Sequence, residues 1–84
     1  MSRLRKILDA LFSGSRDANI RFHDLQRILA ALDFEEHIRG DHFIYSRDDV
    51  VEIINLQPIG SMAKPYQVKQ VRQLLTKYRL GNEL

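Results

Sequence analysis

The residues around position 40 carry the side chains best suited to proton transfer and phosphate binding. His42 follows the pair Gly40-Asp41, and Arg39 stands just before it. An imidazole can take or give a proton near neutral pH, and a guanidinium binds phosphate through a planar fork of donors. Cleavage of an RNA phosphodiester needs a base, an acid and cations that stabilise developing charge. His42 with Arg39 could supply a minimal version of that chemistry. The simpler interpretation is that His42 is a solvated surface histidine with no catalytic role.

A predicted hairpin decides which of these side chains lie together. From Phe34 the apolar period changes to two, and Gly40-Asp41 is typical of a two-residue turn because glycine accepts a positive φ. This register places Arg39 opposite His42 and leaves one face of the hairpin open. The face predicted to meet the helices holds Phe34, Glu36, Ile38, Phe43 and Tyr45, and the open face holds Glu35, His37, Arg39 and His42.

His37 is a second candidate on the open face, as a residue that assists His42. Together with Asp41 these histidines are close in sequence, but their spacing matches no metal-ligand pattern and the turn separates them. We therefore expect neither a metal site nor a cofactor. His23 precedes an apolar helical pattern, and a polar surface or capping role is the simpler expectation for it.

Apolar residues at helical spacing predict three helices, over about 3–12, 22–32 and 67–80. Asp33 is expected in the left-handed position that closes the second helix, and Gly81 at the end of the third. Three short strands are predicted over about 34–39, 42–45 and 50–56. The sequence thus predicts one α+β domain over residues 1–84 in the order α-α-β-β-β-α, with helices covering a three-stranded antiparallel sheet. Without its first helix, that order is the one found in the double-stranded-RNA-binding fold, which is an analogy of element order only.

Length and composition exclude several classes of protein. A chain of 84 residues makes one domain, and the absence of cysteine excludes a disulfide framework, a zinc–thiolate cluster and a thiol nucleophile. No run of 18 apolar residues occurs, and the first six residues lead into no secretory apolar segment. We expect a cytoplasmic protein without a membrane span.

Basic residues are concentrated in the last third of the chain. Residues 1–56 carry 8 basic and 10 acidic side chains, whereas residues 57–84 carry 5 basic and 1 acidic. Lysine and arginine in such a segment can bind phosphate and sugar oxygens, although the solvated face of an amphipathic helix explains the same pattern. The candidates for RNA binding are Arg39, Lys64, Lys69 and Arg72.

Four segments, taken in this order, resemble the HicA family of small toxins, the mRNA interferases of type II toxin–antitoxin pairs. The family pattern is a helix ending in Leu-Gly-Phe, a strand, a Gly-Ser-His turn, two further strands and a closing helix, and the similarity covers about residues 20–80. The segments that carry it are FHDLQRILAALDF at 22–34, RGDHFIY at 39–45, EIINLQP at 52–58 and AKPYQVKQVR at 63–72.

The resemblance implies a fold like that of double-stranded-RNA-binding domains and ribosome-independent, metal-free cleavage of mRNA. It implies that His42, at the position of the histidine in the family's Gly-Ser-His turn, is the catalytic residue. It also implies a HicB-like antitoxin that covers the active site.

Two departures from the family pattern leave alternatives open. Asp41 replaces the usual serine and places a carboxylate beside His42, where its charge repels phosphate. Asp33 replaces the glycine that usually ends the helix. A non-catalytic RNA-binding module and a protein-interaction domain for an antitoxin-type partner are therefore the alternative functions. The additional N-terminal helix could pack in the core or contact a partner, and the sequence leaves the oligomeric state open.

Overall fold

Three amphipathic helices and a three-stranded antiparallel sheet follow one another in the predicted order, which confirms the α+β fold class. The computed structural model describes residues 3–82 and 84. A short 3₁₀ helix, Asp17–Asn19, joins the first two helices and was not predicted. The helices are α1 (Arg3–Ser13), α2 (Phe22–Ala31) and α3 (Pro65–Lys77), and the strands are β1 (Glu35–Arg39), β2 (His42–Arg47) and β3 (Val50–Leu56).

The helices and the sheet share one hydrophobic core, and the N-terminal helix belongs to it. One face of α1 buries Ile7, Leu8 and Leu11, so this helix packs in the core, one of the two roles that the sequence left open. Burial of such side chains is the main favourable contribution to folding, at about 25 cal/mol for each Å² of apolar surface removed from water. From the other elements the core takes Leu25, Ile28 and Leu29 of α2, Tyr45, Ile54 and Leu56 of the sheet, and Val68, Val71 and Leu75 of α3.

The β1–β2 hairpin has the predicted register, with Arg39 opposite His42 and Ile38 opposite Phe43. Gly40 has a φ of 61°, whereas Asp41 is not in the left-handed region. A positive φ at only the first turn residue is typical of a type II′ turn, whose twist suits a hairpin. The turn chemistry read from the sequence is therefore confirmed.

Ile38 departs from the predicted burial pattern. Phe34 and Tyr45 are buried on the helix-facing side, as predicted, and Phe43 is half-buried. Ile38 is paired with Phe43 on the helix-facing side, as predicted, but it is 56% exposed, so the burial expected for that face does not extend to it. Every residue of β1 is exposed, whereas β2 and β3 both contain buried residues, so the helices cover the other two strands and leave β1 uncovered.

Glu36, the only charged residue predicted on the helix-facing side, has specific partners. Its Oε2 accepts hydrogen bonds from the Tyr45 hydroxyl at 2.5 Å and from Gln26 Nε2 at 3.2 Å. Burial, and then the Glu36 carboxylate, raise the pKa of the Tyr45 phenol, which therefore remains a hydrogen-bond donor. This contact lets a buried tyrosine keep its polar end satisfied.

The end of α2 matches the prediction. Asp33 has a φ of 66° and occupies the left-handed position after the helix. Its N–H donates to the Ala30 carbonyl, and the Phe34 N–H donates to the Leu29 carbonyl. These two bonds form a Schellman motif, accompanied by burial of Phe34 and Leu29 in the core.

The bounds of α3 differ from the prediction at both ends. It begins at Pro65 rather than Gln67, because proline suits the first helical turn, where its missing N–H is not needed. It ends at Lys77 rather than Leu80. Arg79, with a φ of 55°, takes the left-handed position expected for Gly81.

Helix α3 ends at Lys77 because a second Schellman motif, formed by two backbone hydrogen bonds, follows it. The Arg79 N–H donates to the Thr76 carbonyl at 3.2 Å, and the Leu80 N–H donates to the Leu75 carbonyl at 2.9 Å. Gly81 lies further on with a φ of 98°, where a Cβ atom would lie 3.3 Å from side-chain atoms of Leu8 and Phe12. Gly81 is thus needed for its backbone conformation and for close packing on α1.

The left-handed conformation of Arg79 yields a prediction about stability. Glycine has no Cβ atom, so it adopts this conformation without the clash that the Cβ atom of Arg79 imposes. We therefore expect Arg79→Gly to raise the free energy of unfolding by about 0.5–1 kcal/mol. Urea denaturation followed by circular dichroism measures the change. As a control, Gln73→Gly, at an exposed position inside α3, should lower the same free energy by about 0.5–1 kcal/mol. Destabilisation by Arg79→Gly would contradict the argument.

Glu52 ties β3 to the C-terminal end of α3. Its carboxylate accepts hydrogen bonds from Lys77 Nζ at 2.7 Å and from the Tyr78 hydroxyl at 2.6 Å. The hydrogen bond from Lys77, followed by that from Tyr78, lowers the pKa of Glu52 from 4.5 to about 2. The same contact raises the pKa of Lys77.

The lowered pKa of Glu52 predicts a pH dependence of stability. A carboxylate whose pKa is lower in the folded state contributes stability that is complete above its ordinary pKa of 4.5 and is lost as the pH falls towards about 2. We expect the melting temperature to fall across this window, and less steeply in Glu52→Gln. The control Asp48→Asn, an exposed carboxylate in the β2–β3 turn, should keep the slope of the native protein. Equal slopes for native protein and Glu52→Gln would refute the assignment.

Candidate active site on the open sheet face

The face of the sheet turned away from the helices carries the candidate catalytic side chains. Arg39 and His42 are directly opposite each other on adjacent strands, and both are exposed. His37 lies two residues before Arg39 on the same face, diagonal to His42. Diagonal neighbours of this kind are about 7–8 Å apart. The structure therefore brings together the three residues that the sequence placed on the open face near the turn.

The imidazole of His42 is held by a residue that the sequence analysis did not select. Its Nδ1 lies 3.1 Å from Oδ1 of Asn55 on β3. An amide oxygen only accepts hydrogen bonds, so this contact is a hydrogen bond when Nδ1 carries the proton of the ring. The other nitrogen, Nε2, then has the free lone pair and can act as a base. The side chain of His42 is 49% exposed, which leaves this nitrogen accessible to a substrate.

Asp41 lies close to that free nitrogen. Its Oδ1 is 3.7 Å from Nε2 of His42, which makes an ion pair when the imidazole is protonated. Its Oδ2 accepts a hydrogen bond from Gln57 Nε2 at 2.5 Å, and Gln57 Oε1 accepts one from Lys64 Nζ at 3.5 Å. A chain of polar contacts thus runs from Lys64, just before α3, to His42. We call Lys64, Gln57, Asp41, His42 and Asn55 the turn network.

Three of the four residues predicted to bind RNA have side chains that solvent can reach. Arg39 is exposed and forms no ion pair with any residue in the described part of the chain, and Lys69 is exposed on α3. Lys64 is half-buried within the turn network. These three side chains can therefore be reached by a phosphate; Arg39 lies directly opposite His42, and Lys64 contacts Gln57 of the turn network.

Arg72 is bound within the fold. Its guanidinium donates to both carboxylate oxygens of Asp17, at 2.7 and 3.0 Å, and to the Leu11 carbonyl at 3.2 Å. Its side chain is only 19% exposed, and the bond to Asp17 raises its pKa. Arg72 therefore joins α3 to α1 and to the 3₁₀ helix, and the structure does not bring it into the turn network.

Asn55 and Gln57 carried a signal in the sequence that could have identified them. Ile54 and Leu56 are the inward residues of β3, so the residues between and after them point to the other side. The sequence did not predict how β3 pairs with β2, and this pairing is what brings Asn55 to His42. That register is interrupted where the single residue Ser46 faces three residues of β3, between the pairs Tyr45–Ile54 and Arg47–Val50.

Comparisons with known proteins identify no relative: the chain matches no protein-family model, no curated protein and no solved structure. Among residues 3–82 and 84, no cluster of three or more acidic or histidine side chains could hold a metal ion. Within the same described ranges, no helix is long and apolar enough to cross a membrane.

The contact with Asn55 predicts the tautomer of His42. We expect the neutral ring to carry its proton on Nδ1, which ¹⁵N chemical shifts of the imidazole nitrogens measure directly. In Asn55→Leu the acceptor is lost, and the ring should shift towards the Nε2-protonated form that free histidine favours. His37, whose Nε2 lies 3.9 Å from Oε2 of Glu35, serves as an internal control in the same spectra. Protonation of His42 at Nε2 in the native protein would refute this geometry.

Proposed function

We propose that this protein is an endoribonuclease that cleaves mRNA without a metal ion, the toxin of a type II toxin–antitoxin pair similar to the HicA family. The observation that carries the proposal is the arrangement of His42. An exposed imidazole, held through Nδ1 by Asn55, presents Nε2 beside Arg39 on an open sheet face. A general base needs this combination of a fixed ring and an accessible lone pair.

The proposed reaction is a transesterification within the RNA. Nε2 of His42 takes the proton of a ribose 2′-hydroxyl, and that oxygen attacks the adjacent phosphorus. The bond from phosphorus to the 5′-oxygen of the next nucleotide breaks, which leaves a 2′,3′-cyclic phosphate and a 5′-hydroxyl. The leaving oxygen takes its proton from a protonated histidine, and His37 is our candidate donor because it lies diagonal to His42.

The proposed RNA-binding residues are Arg39, Lys64 and Lys69. Arg39, directly opposite His42, is suited to hold the scissile phosphate through its guanidinium fork. Lys64 contacts Gln57 within the turn network, and Lys69 is exposed on α3. Contacts of this kind give an affinity that falls with increasing salt. Arg72 is left out of this surface because Asp17 occupies its donors.

A HicB-like antitoxin is the proposed protein partner, and the open sheet face is where we place it. That face exposes apolar Ile53 beside the polar residues of the turn network, and protein interfaces combine such features. Binding there would cover His42 and exclude RNA, which is how an antitoxin would silence the enzyme.

A second function, a non-catalytic RNA-binding module, is favoured by Asp41. Its carboxylate is 3.7 Å from the nitrogen proposed as the base and is held there by Gln57. A negative charge at this point opposes the approach of a phosphate. In this case Arg39 and the lysines would still bind RNA, but no strand would be cut.

The experiment is a cleavage assay on long single-stranded mRNA in the presence of a chelator. We expect cleavage by the native protein and a loss of about 10²-fold or more in His42→Ala, because a general base typically contributes 10²–10⁴-fold. His23→Ala, which changes an exposed histidine on α2, is the matched control and should cleave like the native protein. Equal cleavage by the native protein and by His42→Ala would overturn the catalytic assignment.

The variant Asp41→Ser separates the two functions. If the native protein binds RNA in a salt-dependent manner without cutting it, and Asp41→Ser cuts it, the carboxylate is the element that silences the site. If neither protein cuts RNA that both of them bind, the non-catalytic module is the function. Absence of RNA binding by both would exclude both proposals.

A further inference from the structure

One aromatic side chain stands in solvent at the start of the last helix. Tyr66, in the first turn of α3, is 61% exposed. Among the described residues it is the only aromatic side chain that is exposed rather than buried or half-buried. The hydroxyls of the other two tyrosines, Tyr45 and Tyr78, donate to Glu36 and Glu52. Within residues 3–82 and 84 the hydroxyl of Tyr66 has no such partner, so neither end of this side chain is used by the fold.

Tyr66 lies at the end of α3 that contacts the turn network. Lys64, two residues before it, contacts Gln57 Oε1 at 3.5 Å. Gln67, the next residue, accepts a hydrogen bond from the backbone N–H of Gln57 at 3.2 Å. Helical side chains lean towards the N-terminus of their helix, so the ring of Tyr66 leans towards Lys64. The ring is therefore near the residues that lead to His42.

Tyr66 also belongs to the face of α3 that lines a groove beside β3. Positions 66, 70, 73 and 77 have the i, i+4, i+7 and i+11 spacing of one helix face. Gln70, Gln73 and Lys77 line a groove of about 360 Å³ between this helix and β3, with Asn55 on the β3 side. The ring thus stands between the turn network and a groove that is rich in side-chain amides.

The surroundings of Tyr66 carry positive charge. Helix α3, with the sequence PYQVKQVRQLLTK, contains no acidic residue. Lys69 is exposed and lies at i+3 from Tyr66, so the two side chains are neighbours on the helix surface. Glu52 is the only acidic residue that lines the groove, and Lys77 Nζ donates to its carboxylate at 2.7 Å. Surfaces that bind single-stranded nucleic acids combine such cations, which hold the backbone, with an exposed ring on which a base stacks.

We propose that Tyr66 is a base-stacking residue for single-stranded RNA, on which one base lies while Lys64 and Lys69 hold neighbouring phosphates. The stacked base belongs to a nucleotide that flanks the one at His42, because Lys64 connects this end of α3 to the turn network. Every base has a flat face, so stacking fixes the strand without selecting its sequence. This role rests on the proposed binding of RNA and applies both to the endoribonuclease and to the non-catalytic module.

Fluorescence anisotropy of a labelled single-stranded RNA tests the role of Tyr66, with His42→Ala as the parent protein so that the RNA stays intact. Addition of Tyr66→Ala should raise the dissociation constant by about 5-fold to 100-fold, the effect of losing one stacked base. Tyr66→Phe keeps the ring and should bind like the parent. Ile38→Ala, which shortens an exposed side chain on β1, is the matched control and should also leave the dissociation constant unchanged.

An abasic strand separates stacking from other roles of the ring. On an RNA of the same length without bases, Tyr66→Ala should bind like the parent, because only sugars and phosphates remain to be contacted. The salt dependence gives an independent readout. Tyr66→Ala should keep the slope of log K against log salt concentration, whereas Lys69→Ala should reduce its magnitude by about 0.7, the value for one phosphate contact on a single strand.

Several results would overturn the role of Tyr66 and leave the proposed function in place. These are equal binding of intact RNA by the parent and by Tyr66→Ala, an equal loss of binding on the abasic strand, and a loss confined to the binding of a partner protein. Absence of RNA binding by the parent would overturn both. Binding that depends on Tyr66, without cleavage by the native protein, would support stacking and assign the non-catalytic module as the function.

Discussion

The register of the β1–β2 hairpin is the constraint on which the rest of the structure depends. Gly40 takes a positive φ at the first position of the turn, and this sets Arg39 opposite His42. Because strand side chains alternate, a shift of one residue would turn the side chains of β2 to the opposite face of the hairpin. Tyr45 would then leave the core, and His42 would turn towards the helices. Core packing and the exposure of the candidate active site are therefore consequences of one short turn.

The candidate active site combines local and long-range contacts. Arg39, Asp41 and His42 are neighbours of the turn, so the hairpin alone places them. Asn55, which sets the protonated nitrogen of His42, comes from β3, and Lys64, which reaches Asp41 through Gln57, comes from the start of α3. The hairpin thus supplies the reactive groups, and the third strand and the last helix orient them.

The last helix stabilises the fold at several points through its polar residues. Arg72 binds Asp17 and the end of α1, and Lys77 and Tyr78 bind Glu52 on β3. The basic charge of the last third of the chain is therefore divided between ion pairs that join elements of the fold, at Arg72 and Lys77, and the lysines of the proposed RNA-binding surface, Lys64 and Lys69. Net charge alone does not separate these uses, because an arginine with a bidentate carboxylate partner contributes little to the field that attracts RNA.

Sequence patterns alone determined the order of the elements, the hairpin register, the left-handed position of Asp33 and the exposure of His42, because each depends on local periodicity or turn chemistry. Tertiary structure decided the rest. Ile38 is exposed because the helices leave β1 uncovered, and Arg72 is bound because the fold brings Asp17 to it. Asn55 reaches His42 through a register interrupted at Ser46. These contacts join residues that are distant in sequence, and no local pattern encodes which of them will meet.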